Sequence, residues 1–393
     1  AGRRVIVADR RPMGAGSTAA TTALVQAEID VSLLDLREKV GERQADAAYQ
    51  TTRAALDELR CMAKVLGVEC DMAGRPSVQL APTAEVAEQM WAEVAARQSI
   101  GLRTLFLSRS VLAKRFGFDA HGAILSDLAF ELNPLKLTRA LLASAAAGGA
   151  VLLANTMVDL TPLTNSLAER AFVTDGGLTL VAGTVIIATG YETPEQFPLV
   201  ARLTKFKTTF AAATVPLTSD PWPERAVVWE KAEPYFYARC APDGRVILGG
   251  EDIEGIDPAK REKLLVAKGA ILQKKLRKLA PKANAPFDSL WTGTFAETSD
   301  GLPFIGGHKA YPGALFALGY GGNGITYSMI ASQLLRDVVV GAENESAQLF
   351  RFDRATTVSR EEKERAASWR DNPELREARR GGPERGSKHQ SSR

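Results

Sequence analysis

The sequence predicts an α/β protein with a second, α+β domain, and three observations carry this prediction. An apolar run, Val5–Ala8, ends in an acid, Asp9, as a short buried parallel strand does. A strand-like run over 313–318 enters a glycine-rich loop and then a helical pattern over 327–340. Between 206 and 287 the pattern changes to short strands. We therefore expect an α/β domain interleaved with an antiparallel-sheet domain.

Composition excludes several classes of protein. The chain has 393 residues, is 45% hydrophobic and 24% charged, and has a net charge of +3, which predicts a large core and no nucleic-acid-binding face. The segment 359–393 carries this excess of positive charge, and we predict a charged, disordered tail there. Three cysteines and three histidines at unrelated spacings predict neither a disulfide framework nor a metal site. We expect a cytoplasmic protein without an integral membrane segment.

The start of the chain looks like part of a dinucleotide-binding unit. In such a fold, an acid at the position of Asp9 binds the ribose hydroxyls, although a strand-end acid can also simply face solvent. Hydroxyls of the loop that follows can hold phosphate or ribityl oxygens, or cap an Ala-rich helix. A GxGxxG turn would precede Asp9 by about 20–30 residues, and this sequence begins after that point. We therefore expect either an N-terminally truncated domain or a mis-assigned start.

The most specific pattern is the sequence Leu318-Gly-Tyr-Gly-Gly-Asn-Gly-Ile-Thr326. It places a glycine loop between a strand and a helix N-terminus, where free backbone N–H groups and the helix dipole favour negative charge. A second turn-rich loop, Trp291 to Gly306, lies just upstream and contains Asp300 and Pro303. The two loops together predict a cradle for a cofactor.

These loops resemble those of the D-amino-acid oxidase, glycine oxidase and sarcosine oxidase superfamily of FAD-dependent oxidoreductases, where they flank the isoalloxazine ring. The resemblance spans roughly residues 1 to 345 and implies FAD as the cofactor, with the Val158 backbone near the adenine. The cofactor-binding residues that it suggests are Asp9, Arg10, Ser17, Thr18, Thr21, Thr22, Val158, Thr189, Gly190, Asp300, Gly321, Gly322, Asn323, Gly324, Ile325 and Thr326.

The resemblance also implies a domain plan. An FAD-binding Rossmann-like domain is expected from residues 1–55, 133–200 and 289–345, and a substrate domain from 56–132 and 201–288. Helical spacing predicts helices over 41–68, 83–100, 108–116, 134–147 and 259–279, the last with a solvated charged face. Strands at 235–240 and 245–249, joined by Pro242-Asp-Gly244, are expected to form a hairpin.

Members of this superfamily oxidise an amine or amino acid by hydride transfer to the flavin, giving an imine that hydrolyses, with oxygen or another molecule as the final electron acceptor. Where some members carry a carboxylate-binding arginine, this chain has Phe295. Arg239 is the replacement candidate, and alternation places it on one face with Tyr235 and Tyr237, which are the other candidate catalytic residues. An edge-strand arginine beside core tyrosines is the structural alternative.

Two other functions remain open at this point. A non-catalytic fragment that cannot hold FAD would follow from the missing phosphate-binding turn, and it predicts weak FAD binding and aggregation. A nicotinamide-dependent dehydrogenase is less consistent with the sequence, because it gives no role to the terminal glycine loop or to the interleaved strands.

Overall fold

A computed structural model describes residues 2–164, 170–192, 196–255 and 257–354. The predicted charged tail at 359–393 lies outside these residues. The α/β class predicted from the sequence is confirmed. None of the described helices has both the length and the apolar character needed to cross a bilayer.

The strands group into one large sheet and three small ones. In chain order they are β1 (Ile6–Ala8), β2 (Leu24–Gln26), β3 (Ala73–Ala81), β4 (Thr104–Ser108), β5 (Gly122–Glu131), β6 (Val151–Leu153), β7 (Arg170–Val173), β8 (Thr179–Ala182), β9 (Val185–Ile187), β10 (Lys205–Thr214), β11 (Val227–Glu230), β12 (Phe236–Cys240), β13 (Val246–Glu254), β14 (Phe287–Glu297), β15 (Phe304–Gly307) and β16 (Ala314–Leu318).

The helices confirm all five helices predicted above. In chain order they are α1 (Ser17–Ala20), α2 (Leu33–Val40), α3 (Glu42–Val65), α4 (Ala84–Ser99), α5 (Arg109–Phe116), α6 (Pro134–Ala147), α7 (Pro198–Ala201), α8 (Pro258–Leu279), α9 (Gly324–Val340) and α10 (Ala347–Phe350). Local chemistry explains several starts: Thr83, Ser108 and Asn133 each accept a backbone N–H with their side chain at the N-cap of α4, α5 and α6.

The large sheet has the order β14-β10-β13-β12-β11-β3-β5-β2, and β4 also pairs with β5. The expected hairpin β12–β13 is present. The sheet is not purely antiparallel as predicted, because β11 runs parallel to β3, which comes from the other half of the substrate domain. The sheet also takes in β2 and β14, which lie largely in segments assigned to the cofactor domain, so the domain limits stay a prediction.

The parallel strands predicted for the cofactor domain form two small sheets. β1 pairs with β6 in parallel, while β9 pairs in parallel with β16, which is antiparallel to β15. The prediction that β1 is buried is wrong, because Ile6 is 43% exposed. Within the described residues β1 has a partner strand on one edge only, so little protein covers it.

Beyond its first turn, helix α8 covers the face of the large sheet opposite to the candidate site described below. Leu272 and Leu276 of α8 enter a buried cluster with residues of β10, β12 and β13. The sequence predicts that the charged residues of α8 form a solvated face, but two of its lysines do not lie there. Lys268 and Lys275 both pair with the buried Glu251 of β13, at 3.0 and 2.8 Å, and thereby attach the helix to the sheet.

Candidate functional site

One cavity of about 2910 Å³ runs between the small parallel sheets, the start of α9 and the open face of the large sheet. Sites for single small molecules usually measure about 300–1,000 Å³. This cavity therefore has room for an extended cofactor together with a substrate. Sixteen of the residues singled out from the sequence line it, and Arg239, Asp300 and Thr326 do not.

The end of the cavity nearest β1 contains the expected nucleotide-side residues. Asp9 follows β1, and its carboxylate accepts a hydrogen bond from the Arg11 backbone at 2.9 Å. Arg10 and Arg11 both form ion pairs with Glu192, at 2.5 and 2.7 Å. The Glu192 carboxylate raises the pKa of Arg11 through a hydrogen bond and its charge. Val158, Thr189 and Gly190 line the same end.

Small and hydroxyl-bearing residues line the next part of the cavity. Ser17, Thr18, Thr21 and Thr22 all contribute to its wall. The alternative that a Ser or Thr caps a longer Ala-rich helix is wrong, because α1 has four residues and its N-cap is Gly16, which provides no side-chain acceptor. The hydroxyls of Ser17 and Thr18 are thus not needed as helix caps.

The glycine loop is fastened to the chain segment that follows β2. The Gly322 backbone N–H donates to Asp30 Oδ2 at 2.7 Å, and the Asp30 N–H donates to Asn323 Oδ1 at 3.1 Å. Gly321 N–H is also used, since it donates to the Ala296 carbonyl at 2.9 Å. Two of the amides that were expected to stabilise negative charge, those of Gly321 and Gly322, are therefore already used.

The amides that remain lie at the start of α9. Its first helical hydrogen bond runs from Tyr327 N–H to the Asn323 carbonyl at 3.0 Å, so helix geometry leaves the N–H groups of Gly324, Ile325 and Thr326 without a helical acceptor. Gly324 and Ile325 line the cavity. The helix dipole adds to these donors and favours negative charge in the cavity.

Asp30 itself is an acid that faces the cavity. The protein atoms around its carboxylate raise its pKa to about 6, while the hydrogen bond from Gly322 opposes this shift. A Cβ at Gly322 would lie 2.9 Å from Asp30 Oδ2, so glycine is required for this close approach.

The open face of the large sheet forms the opposite wall. Lys207 of β10 and Glu297 of β14 lie on it and form an ion pair at 3.0 Å. Phe295 lies directly opposite Lys207 in the β10–β14 register. Asp252 of β13 also lines this wall, and burial raises its pKa to about 6, with Glu297 and Glu233 adding to the effect.

The two candidate catalytic tyrosines lie on this wall as predicted. The rings of Tyr235 and Tyr237 are 5.6 Å apart. Tyr237 passes over Gly249, where a Cβ would lie 2.3 Å from its hydroxyl oxygen. Burial raises the pKa of Tyr237 to about 12 and that of Tyr235 well above its usual value. Both phenols are therefore neutral hydrogen-bond donors at physiological pH.

Arg239, the third candidate, does not reach the cavity. Its Nε donates to the Thr22 carbonyl, and its Nη1 lies 3.5 Å from the buried Glu131 carboxylate. The side chains of Arg75 and Arg225 approach the same carboxylate. Arg239 therefore compensates a buried charge, and it does so from the inner strand β12 and not from an edge strand, as the structural alternative had it.

Neither Asp300 nor Pro303 lines the cavity, although the sequence suggested that both shape an edge of the cofactor site. Both bind Arg354: its Nε and Nη2 donate to the two Asp300 oxygens at 2.8 and 2.9 Å, and its Nη1 donates to the Pro303 carbonyl at 2.8 Å. Burial alone would raise the pKa of Asp300, but the hydrogen bonds and charge of Arg354 lower it. Thr326 does not line the cavity, and its hydroxyl donates to the Gln26 carbonyl, so the role expected of its backbone N–H stays a prediction.

Sequence reasoning missed several residues of the site. Asp30, Lys207, Asp252 and Glu297 line the cavity, and no motif identified them. The one available signal was that Lys207 and Asp252 lie within 201–288, which was expected to belong to the substrate domain. Their face could not be assigned, because a register shift in the β10–β13 pair interrupts the alternation.

Comparison with known proteins identifies the family. The profile of the family described as "DAO: FAD dependent oxidoreductase" matches residues 1–338. The chain belongs to this family. FAD is thus the cofactor, and the chain is an FAD-dependent oxidoreductase.

Individual relatives agree with this assignment. A glycine oxidase from Bacillus licheniformis is 33% identical over 75 residues, which are 19% of this chain and only 20% of that relative. The glycine oxidase from Geobacillus kaustophilus superposes with a TM-score of 0.72 at 21% identity, covering 91% of this chain and 93% of its own. The L-proline dehydrogenase from P. horikoshii gives 0.71 at 16%, covering 89% and 90%. These two structures support the fold alone.

The residues present fit FAD. Asp9 offers a carboxylate for ribose hydroxyls at one end, and the hydroxyls of 17–22 follow it along the cavity. Gly324 has no atom within 4 Å of the position of a Cβ, so a flat ring can approach the backbone there. The donors at the start of α9 suit carbonyl oxygens and negative charge on such a ring.

Proposed function

We propose that this chain oxidises a small amine or amino acid at the carbon that carries the nitrogen. The observation that supports this is the single cavity, which joins the cofactor residues at the start of α9 to a wall of hydrogen-bonding side chains on the large sheet. The chemistry that FAD supplies when bound is acceptance of a hydride from that carbon, which leaves an imine that water hydrolyses.

The chain's own residues have separate roles in this proposal. Gly324 and Ile325 place free N–H groups where they stabilise negative charge. Tyr235 and Tyr237 remain protonated and donate hydrogen bonds that orient the substrate. The ion pair between Lys207 and Glu297 joins β10 to β14 on this wall.

A carboxylate, where the substrate has one, is expected to bind Arg261. This residue of α8 lines the cavity, and its Nη1 donates to Thr294 Oγ1 at 3.2 Å. Its Nε is buried and has no hydrogen-bond partner among the residues that the structure describes. Arg261 can therefore donate hydrogen bonds to a carboxylate, which Phe295 cannot do. Arg239 is not available for this role, because it pairs with Glu131.

The test is anaerobic reduction of the FAD-loaded protein, followed as loss of the oxidised flavin absorbance. The panel contains alkylamines, N-methylglycine and both enantiomers of common amino acids. We expect at least one of them to reduce the flavin within seconds, and air or an artificial acceptor to reoxidise it. A stoichiometrically loaded protein that no compound reduces would contradict the proposal. A chain that retains no FAD would favour the non-catalytic alternative.

Two variants examine the carboxylate role. Arg261→Met is expected to raise KM at least tenfold for amino acids and to leave simple amines unchanged, because only the former carry a carboxylate. Lys263→Met removes an exposed charge two residues further along α8 and serves as the control.

We also propose that the protein is cytoplasmic, in keeping with its three free cysteines.

A further inference from the structure

The carboxylate of Asp30 lies against the loop that leads into α9. Its Oδ2 accepts a hydrogen bond from the Gly322 N–H at 2.7 Å, and a Cβ at Gly321 would lie only 3.0 Å from the same oxygen. Gly324 follows two residues later, so its N–H lies within about 10 Å of this oxygen. Asp30, Gly322 and Gly324 all line the cavity. The carboxylate and the free donors at the start of α9 therefore border the same space.

Hydrogen bonds that do not involve the carboxylate fix Asp30 in this place. The Asp30 N–H donates to Asn323 Oδ1 at 3.1 Å, and Asn323 Nδ2 donates to the Glu28 carbonyl at 2.8 Å. The Thr326 hydroxyl donates to the Gln26 carbonyl at 3.1 Å, so a second residue near the start of α9 is attached to the chain at β2. The carboxylate therefore stays beside the start of α9 in both of its protonation states.

Asp30 shares its favourable cation with another acid. The titratable groups that interact with it come from the large sheet, from the segment before β12 and from α9: Lys207, Asp252, Tyr235, Glu297 and Tyr327. Lys207 favours the ionised form of Asp30, but Lys207 is paired with Glu297 at 3.0 Å, and both Glu297 and Asp252 disfavour that form. Burial raises the pKa of both phenols, so they are neutral at physiological pH. Ionised Asp30 thus adds a poorly compensated negative charge beside the start of α9.

This charge opposes the one that a reduced flavin acquires. Reduction by two electrons and one proton leaves the flavin ring with one negative charge, which the N–H groups of Gly324 and Ile325 and the dipole of α9 stabilise. Two negative charges beside one helix N-terminus repel each other, and a cavity that excludes bulk water strengthens the repulsion.

We propose that Asp30 tunes the reduction potential of the bound flavin, and that its ionised carboxylate lowers this potential. In the protonated form Asp30 is neutral, and the positive end of α9 acts on the flavin without opposition. The inference uses FAD as the cofactor and goes beyond the proposed function, because it requires no particular substrate.

Two variants separate the charge of Asp30 from its hydrogen bond. Asp30→Asn removes the charge and keeps an oxygen for the Gly322 N–H, whereas Asp30→Ala removes both. Each FAD-loaded protein is reduced by dithionite in equilibrium with a reference dye, and absorbance gives the ratio of reduced to oxidised flavin. A charge about 10 Å away in a protein interior changes an equilibrium roughly tenfold. At pH 8 we therefore expect both variants to show a ratio about tenfold higher than the parent chain, about 30 mV for a two-electron couple.

The control is Glu69→Gln, which removes an exposed carboxylate that does not line the cavity and should leave the ratio within twofold. The pH dependence gives a second signature. The surrounding protein raises the pKa of Asp30 to about 6, so the difference between parent and Asp30→Asn should be full at pH 8 and disappear below pH 5. Asp252 titrates in the same range, so this difference reports on Asp30 where the profile of one protein would not.

Four results would overturn the inference. They are a parent-like potential in Asp30→Asn with a shift in Asp30→Ala alone, an equal shift in Asp30→Asn and Glu69→Gln, a difference that is the same at pH 5 and pH 8, and loss of FAD from both Asp30 variants. The first and last would show that Asp30 serves only to hold the loop. Because dithionite is the reductant, no substrate enters the measurement, and a substrate panel that fails leaves its result unchanged.

Discussion

Replacement of Arg354 by methionine should destabilise the protein strongly, although Arg354 does not line the cavity. Its side chain is 2% exposed, and Asp300 is its ion-pair partner. The guanidinium also donates to the carbonyls of Leu302 and Pro303, and lies 3.9 Å from the centre of the Phe304 ring. The variant leaves a buried carboxylate and two carbonyls without these donors.

The expected magnitude follows from this geometry. Removal of one partner of a buried ion pair costs about 3–5 kcal/mol. Asp300 keeps hydrogen bonds from the Thr298 hydroxyl at 3.0 Å and the Leu302 N–H at 3.1 Å. The cost of leaving its carboxylate without Arg354 should therefore lie at the lower end of this range, at about 3 kcal/mol. The lost bonds to carbonyls add about 1 kcal/mol, so we expect a total loss of about 4 kcal/mol.

The assay is urea unfolding of the FAD-loaded protein, followed by tryptophan fluorescence and flavin release. Arg351→Met is the matched control: its exposed pair with Asp353 should contribute under about 1 kcal/mol. The double variant Asp300→Leu/Arg354→Met should recover part of the loss, because no buried charge remains unpaired. A loss below about 1 kcal/mol for Arg354→Met would refute the reasoning.

Three further predictions concern residues of β12 and β13. Gly249→Ala should displace Tyr237, because the new Cβ would lie 2.3 Å from its hydroxyl oxygen, and is expected to raise KM severalfold in the flavin-reduction assay. Asp252→Asn should alter the dependence of stability on pH. The pKa of Asp252 is about 6 in the folded protein and lower in the unfolded chain. Its ionisation therefore destabilises the folded state as pH rises from about 4 through 6. The variant should gain about 1–2 kcal/mol relative to the parent chain over that window in urea titrations, and a flat difference would contradict the shift. Arg239→Met should cost about 2–3 kcal/mol of stability through Glu131, measured by urea unfolding, with substrate KM unchanged; a selective rise in KM would restore Arg239 as a substrate residue.

The residues that were predictable from sequence are those whose role follows from local backbone geometry. A strand, a glycine loop and a helix in direct succession leave free N–H groups at the helix start whatever the rest of the fold does, so Gly324 and Ile325 could be identified. The position of Asp9 at a strand end and the turn at Gly244 could also be predicted, because both follow from the neighbouring sequence.

Residues whose role depends on distant partners were not predictable. Alternation correctly groups Arg239 with Tyr237, but it does not reveal that the chain at Thr22 lies over the guanidinium and separates it from the cavity. Asp300 lies in a loop with a recognisable pattern, yet its partner Arg354 is 54 residues further along the chain. No local pattern specifies which of two chemically reasonable partners a buried charge will find.

The bulge at Gly250 and Glu251 shows how stability and site are coupled in this fold. In a regular strand, consecutive residues face opposite sides, and here the added residue fixes which side each acid takes. Glu251 goes to the α8 lysines, which satisfy it fully, while Asp252 goes to the cavity with an acceptor still unpaired. If Glu251 took the cavity position, Lys268 and Lys275 would lose their ion-pair partner, and α8 would lose these two links to the sheet. The energy of helix docking therefore holds Asp252 in the cavity in spite of the repulsion it meets there.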